Sequence, residues 1–398
     1  MNIFKNINYK RGVFMALGKK SNKKSDGMMS KDLGSIFKKK SSPNKKKKGK
    51  SRNFISLDIG SSDIKMVSGN YNNDDIEILS FDSIKQERGV CVAGVINNEN
   101  AVAEYLSTLV RRSRVKEKDV IVSVDTPEIM RREMVIPAME EKLILSSVRF
   151  EISEFLPIDI DKYIIQYSEI DRYVENDTEK LNVMIYAFPE IAARQYFDIV
   201  RTAGLNPVAL DIQSNCIRKL LYNRSINNYS LRDQTVAIID IGNESMNLTI
   251  IKNGRHEFNR MVRGNVSISS VFVENGICSE SSADNIIDRY SNQNLFTNSL
   301  AIDELRIQES IISLVDIWIA DILKLFQYYT SRSNKNSIDR IFIYGGGSRI
   351  KNVDHYIGTR IGIPTNTIES IQGVKFPPSA RNRELAKYVN CISAIIEK

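Results

Sequence analysis

Cysteine and histidine are scarce in this chain of 398 residues. The four cysteines, Cys91, Cys216, Cys278 and Cys391, lie far apart and form no Cys-x-x-Cys, and His256 and His355 are the only histidines. That excludes a zinc cluster and a disulfide framework, and it fits a reducing, cytoplasmic compartment. No run of about 18 uncharged apolar residues occurs, so no membrane-spanning helix is expected. The nearest candidate, Ile311 to Phe326, carries Asp316, Asp321 and Lys324 with polar residues at helical spacing, the pattern of an amphipathic helix with a wide buried face. The basic N-terminus lacks a continuous apolar stretch and does not read as a signal peptide. Neither the Rossmann Gly-x-Gly-x-x-Gly nor a complete Walker Gly-x-x-x-x-Gly-Lys-Ser/Thr is present.

What is there begins with an uneven charge. The net formal charge is +8, yet residues 1–52 hold 17 Lys and Arg against Asp26 and Asp32, which leaves the rest of the chain at −7. The tail is rich in Lys, Ser, Asn and Gly and has few large apolar residues, so it is expected to be disordered. The body, in a chain 42% apolar, is long enough for two or more cores.

One pattern occurs twice. Residues 54–60 read Phe-Ile-Ser-Leu-Asp-Ile-Gly and residues 236–242 read Val-Ala-Ile-Ile-Asp-Ile-Gly. Each apolar strand ends in Asp-Ile-Gly and is followed by a small-residue turn and a second apolar stretch, which predicts two similar halves facing each other. In the first copy, Gly60 lets backbone amides approach phosphate oxygens, Ser61 and Ser62 add hydroxyl donors, and Lys65 returns a positive charge. Asp58 can hold water on Mg²⁺. Taken alone, the segment is also a polar hairpin turn in which Asp58 bonds the local backbone. The second copy repeats Asp240 and Gly242, with Asn243 or Ser245 as phosphate donors. A third segment, Gly345-Gly346-Gly347-Ser348, lies between a strand and a helix and allows an adenine or ribose to lie flat on the backbone.

Between these motifs, residues 128–190 read as a compact module of strand, helix and two strands. A helix from Ile191 to Ala203 stops at Gly204, and Ser214–Tyr222 reads as another. Asn223 to Asp233 looks like an interdomain connection. Helices fill roughly 265–330, and the chain closes on a helix near 383–397.

In this order, the three motifs resemble the phosphate-1, phosphate-2 and adenosine motifs of the actin-like ATPase superfamily, and more closely those of the PilM family of type IV pilus assembly proteins. The segments Asp58 to Lys65, Phe150-Glu151-Ile152-Ser153-Glu154-Phe155-Leu156-Pro157 and Arg201-Thr202-Ala203-Gly204-Leu205-Asn206-Pro207-Val208 resemble that family. The resemblance implies an α/β actin-like fold: two RNase H-like lobes around a nucleotide cleft, with small inserted modules. Residues 53–126 and 191–231 would form the first lobe and 127–190 the inserted protein-binding module. Residues 232–262 and 331–398 would form the second lobe, and 263–330 a helical subdomain. It implies ATP and Mg²⁺ as ligands, the ion held through water by Asp58 and Asp240. Gly264, beside Asn265, stands where the family carries a Gly-Gly pair near the nucleotide. Gln213 stands where the family carries Glu; it orients an attacking water or simply starts a helix, with Asp211 as the alternative. The implied partners are the cytoplasmic N-terminal segment of a PilN-like membrane protein and the pilus assembly ATPase, at the inner face of the membrane. A cell-division protein of the FtsA kind is a rival reading, as is a sugar kinase of the same superfold. Lysine runs in residues 31–52 fit an anionic membrane surface or a solvated spacer. Nucleic acid fits less well, because the acidic body repels it.

Overall fold

The computed structural model describes residues 52–155, 159–263, 268–279, 296, 302–334, 336–377 and 384–396. The basic tail up to residue 51 and Gly264 lie outside the described residues.

Two sheets repeat one topology. In the first, Asn53–Ile59, Asp63–Asn72 and Asp75–Lys85 form an antiparallel meander. Asp119–Val124 then lies parallel to Asn53–Ile59, and Asn206–Ile212 lies parallel beyond it. In the second, Thr235–Ile241, Ser245–Lys252 and Arg255–Arg263 form the meander, with Arg340–Tyr344 and Thr365–Thr367 as the parallel strands. The first strand of each is central and buried on both faces, which is why both motifs open on continuous apolar runs rather than an alternation. The α/β class and the twin RNase H-like lobes expected from the sequence are therefore present.

Local chemistry sets the helix ends. Asn98 caps Glu99–Ser113 by accepting from the Ala101 amide, and Arg114 closes it in the left-handed region at φ 54°. Glu190–Thr202 ends at Gly204, φ +76°. The inserted module has its own core: Ile144, Val148 and Ile152 of the helix Glu141–Phe155 pack on Ile165, Leu181, Val183 and Ile185 of a three-stranded sheet. Asn223 to Asp233 carries a small two-stranded ribbon, Ser225–Ile226 with Tyr229–Ser230.

The end of the chain is shared between the lobes. The short strand Val374–Lys375 pairs parallel with Ile76 and Glu77 of the first sheet. The closing helix Glu384–Ala394 joins a core that holds Val67 and Ile78 of the first sheet together with Val236, Ile238 and Phe342 of the second. The division expected from the sequence assigns all of residues 331–398 to the second lobe. A two-residue strand is too short to announce itself by pattern, and a helix buried on most sides looks the same whichever lobe covers it.

The module also touches the second lobe. Arg332 pairs with Glu133 at 3.2 Å and Arg255 with Asp171 at 3.7 Å. Between them a cavity is lined by His256, whose Nε2 is enclosed and has no hydrogen-bond partner. Burial, with Arg218 and Arg131 nearby, pushes the imidazole down to about 4. An unfolded chain titrates its histidines near about 6.5. The unfolded state therefore takes up this proton first, and stability that is complete above about 6.5 is lost as the pH falls toward 4. His256→Gln should show a smaller loss of denaturant midpoint between pH 7 and pH 4.5 than the parent; equal losses would refute the assignment.

Candidate functional site

The two Asp-Ile-Gly turns are built alike. The Gly60 amide donates to the Asp63 carbonyl at 3.1 Å, and the Gly242 amide to the Ser245 carbonyl at 3.0 Å. A Cβ on Gly60 would meet the Asp63 carbonyl at 3.1 Å, and one on Gly242 would meet the Ser245 carbonyl at 2.7 Å. Glycine is needed here for close backbone approach, not for an unusual φ.

These turns face each other across one cavity of about 390 Å³. That lies within the range of about 300–1,000 Å³ common for small-molecule sites. Asp58, Gly60, Ser61, Ser62 and Lys65 line it from one lobe, and Asp240, Gly242, Asn243 and Ser245 from the other. Lys65 Nζ donates to Asp58 Oδ2 at 3.0 Å. Gln213 Nε2 donates to Asp58 Oδ1 at 3.2 Å from the start of the helix Gln213–Leu221. Asn390 of the closing helix donates its Nδ2 to Asp240 Oδ2 at 2.8 Å and reaches Asp58 Oδ2 at 3.4 Å. Tyr344 fixes that amide by donating to its Oδ1 at 3.0 Å.

The electrostatics follow from enclosure. Burial pushes the Asp240 carboxyl up to about 7, against the opposing pull of Lys65 and the Asn390 hydrogen bond. Burial also pulls the Lys65 ammonium down, but Asp58, Asp63 and Asp240 outweigh it and hold its pKa above the ordinary lysine range. Two enclosed carboxylates with one lysine between them favour a further cation.

The third motif divides in two. Gly346 faces open space, and with Gly347 and Arg349 it lines the cavity. Gly347 backs onto Ile241 and Trp318, so a Cβ there would fall 2.4 Å from Ile241 Cγ2. Gly345 and Ser348 do not line the cavity. Gly345, at φ +89°, passes so close to Asp240 that a Cβ would lie 2.1 Å from Oδ1, and the buried Ser348 hydroxyl donates back to the Gly345 carbonyl at 2.8 Å. They shape the turn. Asp211, the alternative catalytic carboxylate, is also away from the cavity. It is buried against Lys219 Nζ at 2.8 Å and accepts from Asn215 Nδ2 at the same distance.

Several lining residues escaped the motif reading, among them Asn390 and Lys387 of the closing helix, Trp318, Asp125 and Asn247. Asn390 stands as a buried amide on the helix between the apolar residues Val389 and Cys391, which is a readable signal. Asn247 was implied by register, since it stands opposite Asp240 as Lys65 stands opposite Asp58.

Two RNase H-like lobes closing on a shared, acid-bearing cleft define an actin-like ATPase fold. The chain belongs to the type IV pilus assembly protein PilM family, which it matches over residues 56–285. Its fold is similar to that of a chain in a solved PilM–PilN type IV pilus biogenesis complex, with a TM-score of 0.69 and 17% identity over 86% of this chain and 97% of that one. It is also similar to the ethanolamine utilization protein EutJ from Carboxydothermus hydrogenoformans, with a TM-score of 0.52 and 11% identity over 88% and 91% of the two chains.

Within the glycine turn, Gly345→Ala should lower the melting temperature by several degrees, since it combines a positive φ costing about 1–2 kcal/mol with a clash against Asp240. Gly346→Ala should melt within about a degree of the parent, because nothing lies within 4 Å of its Cβ. Thermal melts in which both substitutions cost the same would show that the turn is not held as described.

Proposed function

We propose that this protein is an ATP-binding platform of type IV pilus assembly, in which the cleft holds nucleotide and the inserted module grips the cytoplasmic segment of a PilN-like inner-membrane protein. The observation that carries this reading is the meeting of Asp58 and Asp240, each beside a glycine turn, in one cavity. The turn amides, with Ser61, Ser62, Asn243 and Ser245, offer donors to phosphate oxygens, and Lys65 supplies a fixed positive charge. Gly346, Gly347 and the underlying Trp318 give the flat wall that a nucleoside needs.

The donor set suits magnesium. Among the described residues no group of three or more His, Cys, Asp or Glu gathers to ligate a metal directly. Mg²⁺ requires less than that, since it keeps several waters and takes one or two carboxylates with substrate phosphates. Asp58 and Asp240 fit that role, and the bound ion would neutralise phosphate charge. Asp211 is engaged with Lys219, so Gln213 is the better placed group to orient a water, and an amide is a weak substitute for a base. The nucleotide therefore acts as a structural or switching ligand, with hydrolysis slow at most.

The family match supports a role in pilus assembly, and the proposed location is the cytoplasmic inner face of the membrane. No helix among the described residues is long and apolar enough to cross a membrane. The pilus assembly ATPase is the second partner this reading includes. The lysines of residues 31–52 supply charge for anionic lipid.

Calorimetric titration with Mg-ATP tests the site. Asp58→Ala and Asp240→Ala should each weaken binding at least about tenfold, the scale of one lost charge-assisted contact. Affinities equal to the parent would break the assignment. A synthetic N-terminal peptide of the PilN-like protein should bind the full chain, and no binding at high micromolar concentration would remove the partner.

A further inference from the structure

The register of the twin hairpins hides an asymmetry. Lys65, opposite Asp58, turns to its own aspartate. Asn247, opposite Asp240, turns across the cleft and donates its Nδ2 to Oδ2 of Asp125, just past the end of the first-lobe strand Asp119–Val124. The other oxygen of Asp125 accepts from Arg131, in the first strand of the inserted module, Met130–Pro137. The side chains of Asp125 and Arg131 are only 2% and 12% exposed. Asn259 donates to Asn247 Oδ1 at 2.7 Å, which fixes the amide so that its nitrogen faces Asp125. One buried carboxylate is thus shared by the first lobe, the second lobe and the module.

We propose that the Asn247–Asp125–Arg131 chain is the element that carries the state of the cleft to the inserted module. The proposal rests on the nucleotide reading above and adds how the site is read elsewhere. Asn247 and Asp125 belong to different lobes, so any opening or closing of the cleft changes their separation, and the bond fits one lobe arrangement. A buried carboxylate keeps whatever donors it has, because an unpaired charge there is costly. When Asn247 withdraws, Arg131 must re-settle on Asp125, and it moves the strand Met130–Pro137 with it. A second contact feeds the same residue. Ser61 in the phosphate turn accepts from the Ala93 amide at 2.9 Å. The adjoining Gly94 packs so tightly on Asp125 that a Cβ would lie 2.0 Å from its carbonyl. A ligand that shifts the Ser61 turn therefore presses on Asp125 from the first lobe while lobe closure acts on it from the second.

The test uses the full chain with and without saturating Mg-ATP. Saturation is read by calorimetry and by fluorescence of Trp318, the only tryptophan, which lines the cleft. Hydrogen–deuterium exchange is followed in Met130–Pro137 and Thr178–Pro189 of the module. In the parent, nucleotide should change exchange there on the order of tenfold, as allosteric couplings commonly do. Asn247→Ala and Asn247→Ser leave the Arg131–Asp125 pair intact, and at saturation the module of each should change less than about twofold. Variants that respond like the parent overturn the proposal, as does a saturated parent whose module does not respond. A parent that gives neither binding heat nor a fluorescence change overturns the nucleotide reading, and the coupling with it.

Discussion

Asp58 and Asp240 come from opposite lobes and meet at a single amide, the Asn390 Nδ2 that lies 2.8 Å from one and 3.4 Å from the other. Like charges brought this close repel, and enclosure strengthens the repulsion. Lys65 and Asn390 offset part of it, while burial, with a smaller push from the Asp58 charge, raises the Asp240 pKa to about 7. Between them, Lys65 and Asn390 bond both acids and lessen that repulsion. Glycine turns set the acids close, the buried lysine tempers them, and the closing helix spans the gap.

That arrangement explains how the cores are divided. Each sheet has a private core on its outer face, packed by Glu99–Ser113 and Glu190–Thr202 in one lobe and by the long helix Ile302–Ser331 in the other. The third core is common property, filled from both sheets and from the helices Gln213–Leu221 and Glu384–Ala394. Close-packed interiors deform little, and the two lobes are joined through one such layer, in which the two helices pack against each other. Charge compensation at the cleft and helix packing at the shared layer are one mechanical unit.

Much of this could be read directly from the residues. An apolar strand followed by Asp-Ile-Gly is a local signal, since the same few residues make the strand, the tight turn and the acid at its end. Both hairpins and both acids were therefore legible. The module was legible for the same reason, because its strands and helix keep their own periodicities. Relations between distant elements were harder to read. Nothing local tells Asn390 that it will bridge two lobes, or Asp211 that Lys219 will neutralise it one helix later. The triple glycine drew attention to the right turn, but not to which member is bare. Only Gly346 has a free face, while Gly345 and Ser348 look inward.

The pairing of Val374–Lys375 with Ile76 and Glu77 bears on synthesis. A chain emerging from the ribosome exposes the first meander early, yet the core that holds Val67, Ile76 and Ile78 is complete only once Tyr388, Ile392 and Ile395 have left the exit tunnel. Domains generally fold as units during translation, but this core joins residues far apart along the chain. The nascent protein therefore carries a greasy, half-finished face until the closing helix emerges, and chaperones have that interval in which to bind it.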